Sequence, residues 1–276
     1  MRKLLSADFS RLFKSREFYV SIIFMILLTA FRIGNLIMSP SGHRDDDGFF
    51  LYAFVIGIVM AAFVSLFVGT DHSCHTLRNK LIVGHKRRNV YLSNYIVCTV
   101  AGWIFCSCYL IIALIGGIPI AGGFMAETTD VIATILCVYL LTAAYCGIFV
   151  FLTMLYANGA ATSIVCIFLA IALLVFGIYV QNKLMEPEKI EIMEYSVNME
   201  SGETIYDDNP KYISNDTIRH LYETLNNALP GGQTIQLSCM LSDIKTPSCW
   251  LFIYEGLMVL ITTGLGIVLF SKKDLK

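Results

Sequence analysis

Residues 71–94, DHSCHTLRNKLIVGHKRRNVYLSN, hold three of the five histidines, a cysteine and five Lys/Arg residues in the middle of a strongly apolar chain. Asp71, His72, Cys74 and His75 are all metal-ligand types, and neutral imidazole with thiolate suits zinc. Near-consecutive spacing, however, sends such side chains around the backbone rather than onto one tetrahedron, and no second ligand cluster is expected beside them, so no metal is assigned. A nucleic-acid patch is also set aside, because basic residues hugging a bilayer are what membrane orientation alone requires. The spacing of Thr76–Val83 instead predicts a short helix closed by Gly84, with Leu77, Leu81 and Ile82 as an apolar ridge between Arg78 and Lys80. Such a helix is a knob that a grooved partner can grip.

Other chemistry is sparse. Only two charged residues fall inside the apolar runs, Arg32 and Glu255. Each costs about 2.5–3.5 kcal/mol on insertion scales, which makes both functional candidates. Both lie about 8–9 Å inside the same boundary at 1.5 Å per residue, so they either pair across spans one and six or extend outward separately. Asp45, Asp46 and Asp47 lack the spacing of a magnesium–diphosphate site. Paired intramembrane catalytic groups, such as H-E-x-x-H or two aspartates, are missing from the runs, and Glu255 alone does not make an enzyme. The stretch Leu229-Pro230-Gly231-Gly232-Gln233 is one residue away from the LSGGQ signature of ATP-binding-cassette ATPases. No Gly-Lys dipeptide occurs, so a phosphate-cradling G-x-x-x-x-G-K loop is absent and ATP hydrolysis is not expected on this chain. LPGGQ reads as a helix stop and turn.

These residues must be positioned by membrane helices. The 276-residue chain is 56% hydrophobic and 15% charged, where a soluble domain averages about 25% charged. Six runs reach the roughly 20 residues needed to cross the hydrocarbon: Phe18–Met38, Phe49–Thr70, Tyr95–Ile118, Val131–Leu155, Ala161–Val180 and Trp250–Phe270. Backbone amides cannot stay unpaired in lipid, so the expected fold class is an all-α polytopic membrane protein with six transmembrane helices. The first run is too long for a signal peptide's apolar region and should remain as a span. Gly116, Gly117, Gly122 and Gly123 around Pro119 suggest that span three breaks near its end, for close packing or a re-entrant turn.

Charge sets the orientation. With both termini inside, the inner side carries 13 basic residues against four acids, and the outer side six against sixteen. That distribution obeys the positive-inside rule and implies a multi-pass protein of the cell membrane with cytoplasmic termini. Four regions follow. Residues 1–17 form an amphipathic interface helix, with Leu5, Phe9, Leu12 and Phe13 on one face. Residues 18–180 hold spans one to five and the cytoplasmic loop 71–94. Residues 181–249 make a small extracellular insertion, in which SNDTIRHLYETLNNALPGG reads as a capped helix stopped at Pro-Gly-Gly, with Ile218, Leu221, Tyr222, Leu225 and Leu229 on one face. Residues 250–276 give span six and a tail. Of nine cysteines, only Cys239 and Cys249 fall outside, and they are a disulfide candidate.

The segment HTLRNKLIVGHKRRNVYLSN resembles the loop after the second span of ATP-binding-cassette type-2 permeases, where a T-hydrophobic-R-N-K pattern precedes a Gly-x-x-Arg turn. The basic start, the long outer loop with NPKYISN and LPGGQTIQLS, and the terminal FSKKDLK are also similar, especially to members from Gram-positive bacteria. DHSCH departs from the family, where an acidic and then small residues precede the Thr. The resemblance implies a permease subunit of an ATP-driven exporter of peptide, lipid-like or drug cargo. It implies two copies of a separate ATPase, which would hold the ATP and magnesium, and a second permease copy, identical or homologous. The ATPase-coupling residues would be Thr76, Leu77, Arg78, Asn79, Lys80, Leu81, Ile82, Gly84, Arg87 and Arg88. The same layout also suits a non-transporting immunity or sensor protein that binds a ligand through its outer loop.

Overall fold

The computed structural model describes residues 1–38, 48–73, 76–121, 124, 126–156, 159–192, 205–239 and 247–272. In chain order its elements are α1 (Arg2–Leu12), α2 (Arg16–Met38), α3 (Leu51–Ser73), α4 (Thr76–Ile82), α5 (Arg87–Ala121), α6 (Thr128–Leu155) and α7 (Gly159–Met185). The strands β1 (Lys189–Ile192) and β2 (Ile205–Asp208) follow, then α8 (Asp216–Ala228), α9 (Pro230–Ser238) and α10 (Cys249–Lys272). Six of these helices, α2, α3, α5, α6, α7 and α10, are long and apolar enough to cross a membrane. The protein is an all-α polytopic membrane protein.

α3, α5 and α6 form the inside of the bundle, filled by Tyr52, Phe63, Phe67, Phe105, Tyr109, Tyr145 and Phe149, all buried. Phe63 meets Phe105 edge-on at 5.1 Å, an arrangement favoured by the ring quadrupoles. α2 packs on α5 and α3, α10 on α6 and α5, and α7 on α3 and α6. These three outer helices keep large apolar side chains exposed, among them Phe31, Phe168 and Leu260, as a lipid-facing surface requires.

Several expectations change. α5 runs unbroken through Gly116 and Gly117 to Ala121 with Pro119 inside it, so span three does not break at these three residues. Gly116 instead lets α5 sit against Ile33 of α2, where an added Cβ would collide. Gly122 and Gly123 lie outside the described residues, as do Asp45, Asp46 and Asp47. α1 is rotated from the expected face. Its buried line is Leu4, Asp8 and Leu12, directed at α5, while Phe13 is exposed.

The insertion between the fifth and sixth spans is more structured than its sequence suggests. β1 and β2 pair antiparallel, with Lys189 opposite Asp208 and Ile192 opposite Ile205. Asn209 closes the base of this ribbon by donating Nδ2 to Glu186 Oε2 at 3.0 Å and to the Pro187 carbonyl at 2.9 Å. Asn215 caps α8 by accepting from the Thr217 and Ile218 amides. Leu229 is extended, but Pro-Gly-Gly is no simple turn: Pro230 opens α9, in which every residue except Gln236 is buried. α9 packs against α7, α3 and α6. The glycines make this possible, since a Cβ on Gly177 or Gly231 would run into the backbone of the facing helix. Tyr145 and Thr234 share a buried hydroxyl–hydroxyl hydrogen bond of 2.8 Å across that contact.

Candidate functional site

The end of the bundle that carries the N terminus also holds α4, the last turn of α3, the first turns of α5 and the end of α10. α4 is a seven-residue helix closed by a left-handed Gly84 (φ +96°). The Gly84 amide donates to the Leu81 carbonyl at 3.0 Å and the His85 amide to the Lys80 carbonyl at 3.2 Å. That is the Schellman pattern, which satisfies the orphan carbonyls of a helix end and requires positive φ at its hinge.

The residues of α4 divide between two faces. Leu77 is buried and Leu81 half-buried, both against the core. Thr76 donates its hydroxyl to Asp71 Oδ1 at 2.5 Å, and Lys80 points inward. Arg78, Asn79, Ile82 and Val83 face away, with Ile82 75% and Val83 77% exposed. The expected ridge of Leu77, Leu81 and Ile82 is thereby corrected: two of its members are used to seat the helix, and the outward apolar pair is Ile82–Val83. Arg87 also has another task. Its Nη1 donates to the Ser271 carbonyl at 3.4 Å, tying the start of α5 to the negative end of α10. Arg88 is exposed.

Behind α4 lies an ion-pair network that joins four elements. Lys80 Nζ is 2.7 Å from Asp8 Oδ1 of α1 and 3.1 Å from Asp71 Oδ2 of α3. Arg11 of α1 pairs with the other oxygen of Asp71 and lies over the Phe67 ring, Cζ to centroid 4.1 Å. From α5, Ser93 donates to Asp8 Oδ2 at 2.6 Å, and Asn94 accepts from Arg11 at 3.4 Å. Asp8 and Asp71 are 2% and 0% exposed. Two acids and two bases thus neutralise each other, the condition under which buried charge is tolerated. Burial is the largest influence on Lys80 and lowers its pKa, against the opposing pull of its hydrogen bond and charge contact with Asp8.

Asp8, Arg11, Ser93 and Asn94 were not singled out in the sequence, and Asp71 was weighed only as a metal ligand. The signal was nonetheless present, since Asp8 sits between Leu4 and Leu12 at i±4, an acid in the middle of an apolar stripe. The hydroxyls of Ser93 and Thr76 donate to carboxylates that Lys80 and Arg11 already neutralise. What the network can do is mechanical: it fastens the inner face of α4 to α1, α3 and α5, so force applied to the outer face reaches all three.

Asp71 is committed to this network, and the side chain of His72, with Cys74 and His75, lies outside the described residues. Among the described residues no group of three or more His, Cys, Asp or Glu side chains is placed to hold a metal. Arg32 and Glu255 lie on separate helices and meet different neighbours. Arg32 is 4% exposed with its Cζ 5.4 Å from the centroid of Phe49. Glu255 is fully buried and accepts from the Cys137 thiol of α6, 3.4 Å from each carboxyl oxygen. α5 lies between α2 and α10, which explains the separation. Cys239 and Cys249 are not joined: Cys239 caps α9 in a left-handed conformation (φ 51°), facing Gln236 and Leu237, whereas Cys249 is exposed at the start of α10.

No protein-family model matches the chain, and no curated protein matches it. The fold and the site define a class: a six-span helical membrane protein with a short helix braced between its second and third spans.

Proposed function

We propose that the chain is the membrane permease subunit of an ATP-driven exporter of the ATP-binding-cassette type, and that α4 is its handle for a separate ATPase. In this reading the α1–α4 end is cytoplasmic, the membrane is the cell membrane, and two permease chains, identical or homologous, assemble with two ATPases. ATP and magnesium belong to the ATPases. Closure of the ATPase pair would draw the two α4 helices together and shift the spans between inward and outward access. Cargo of peptide, lipid-like or drug character would pass between the permeases or enter from the bilayer.

The observation that carries this reading is the division of α4 into a bonded inner face and a bare outer one. A helix of seven residues is too short to hold its shape unaided. Here it is seated by Leu77, Leu81, Thr76 and Lys80, while Arg78, Asn79, Ile82 and Val83 are left for a partner. The inward bias of basic residues supports the cytoplasmic side. The test is co-purification with the ATPase encoded beside this chain. Ile82→Asp with Val83→Asp is expected to release the ATPase while the permease stays folded. Retention of the ATPase by that double variant would refute the assignment. A retained ATPase whose rate ignores every candidate cargo would favour the sensor reading instead.

A further inference from the structure

We propose that α8 lies flat in the headgroup layer of the lipid leaflet at its end of the bundle, with Ile218 and Leu221 inserted among the lipid chains. This does not depend on the transport reading. Ile218, Leu221, Tyr222 and Leu225 recur at i, i+3, i+4 and i+7, and so form one stripe of the helix. Asp216, His220, Glu223 and Asn227 occupy the opposite side. Roughly a quarter-turn from the apolar stripe stands Asn226, at 100° per residue. Asn226 is buried and donates Nδ2 to Gln181 Oε1 of α7 at 2.7 Å.

α8 therefore rests on the protein by the flank that carries Asn226, not by its apolar stripe. Ile218 and Leu221 remain 45% and 56% exposed. What they adjoin is the lipid-facing surface of two spans. The Tyr222 side chain lies near that of Tyr179, which is exposed near the end of α7 beside Val175. α8 also packs against α10, whose first turns present Trp250 and Ile253, each more than half exposed, with Trp250 6.4 Å from the Tyr254 ring. Tyrosine and tryptophan mark the boundary between hydrocarbon and headgroups. The apolar stripe of α8 continues that belt.

Charge gives the lipid class. Glu223 answers both Arg219 at 3.5 Å and His220 at 3.2 Å, so α8 has no unbalanced basic face to draw anionic lipid. Insertion rests on apolar burial, and zwitterionic phosphatidylcholine suffices.

The full chain with Trp103→Phe and Trp250→Phe, carrying a single tryptophan at Leu221→Trp, is reconstituted into phosphatidylcholine vesicles. Lipid brominated on the acyl chain near the headgroup should remove most of its fluorescence, while acrylamide on both sides of the vesicle removes little. His220→Trp, on the water-facing side and 80% exposed, should show the reverse. Ile218→Trp should behave like Leu221→Trp. If Leu221→Trp is quenched by acrylamide as strongly as His220→Trp, the stripe faces water and the proposal fails. If both quenchers miss it, protein such as a second copy covers the stripe, and the proposal fails equally.

Discussion

Lys80 of the short helix α4 reaches Asp8 of the N-terminal helix α1 at 2.7 Å, and through this pair the two elements behave as one body. Asp8 is buried and also holds Ser93, so removing Lys80 leaves it without its counter-charge, and removing Asp8 leaves Lys80 with Asp71 alone. Lys80→Ala and Asp8→Ala are each expected to lower stability by about 3–5 kcal/mol, the usual cost of breaking a buried pair. The double variant should cost clearly less than the sum. Thermal unfolding of the four proteins in one detergent measures the coupling, and strict additivity would show that the pair does not join the helices.

Gly84 ends α4 at φ +96°, with open space where a Cβ would stand. Only conformation, not crowding, penalises a side chain here. Gly84→Ala should cost about 1–2 kcal/mol and Gly84→Asn less, since asparagine tolerates the left-handed region. Equal losses for the two in thermal unfolding would point to a steric cause instead.

Gly231 and Gly177 bring α9 against α7 so closely that a Cβ on either would enter the facing backbone. Gly231→Ala should therefore destabilise by about 1–3 kcal/mol, as overpacking does. Gly256 has nothing within 4 Å of its would-be Cβ, so Gly256→Ala on α10 serves as a neutral control. The comparison is read from melting temperatures, and an unaffected Gly231→Ala would contradict the burial of α9.

Arg32 and Glu255 sit on helices separated by α5 and meet different neighbours. Their substitutions should be additive: Arg32→Gln with Glu255→Gln should cost the sum of the two singles to within about 0.3–0.5 kcal/mol. A double variant more stable than that sum would point to an ion pair between them. Glu255→Gln alone keeps the shape and an acceptor for the Cys137 thiol, and is expected to fold.

The six spans were legible because the requirement of lipid is crude: about 20 apolar residues and a satisfied backbone. α4 was legible too, from Gly84 and the alternation of apolar and basic residues ahead of it. Which face of α4 is free was not. Leu81 and Ile82 are adjacent and equally apolar, and only the seat provided by α3 and α5 decides that one packs and the other is bare. The same holds for Lys80, which in sequence is one of five basic residues and in the fold is half-buried between two acids drawn from positions 8 and 71. The β1–β2 ribbon and the start of α9 at Pro230 were also hidden, since four-residue strands carry almost no periodic signal and Pro-Gly-Gly is equally a stop and a start.

The most direct test of the account is the side of the membrane on which Val83 lies. Val83→Cys in a Cys249→Ser background is treated with a membrane-impermeant maleimide, and the adduct is read by mass spectrometry of the peptide carrying residue 83. The account predicts no adduct in intact cells and full labelling once the cells are opened, with bound ATPase slowing the reaction. Labelling of residue 83 in intact cells would place α4 outside, where no ATPase could grip it.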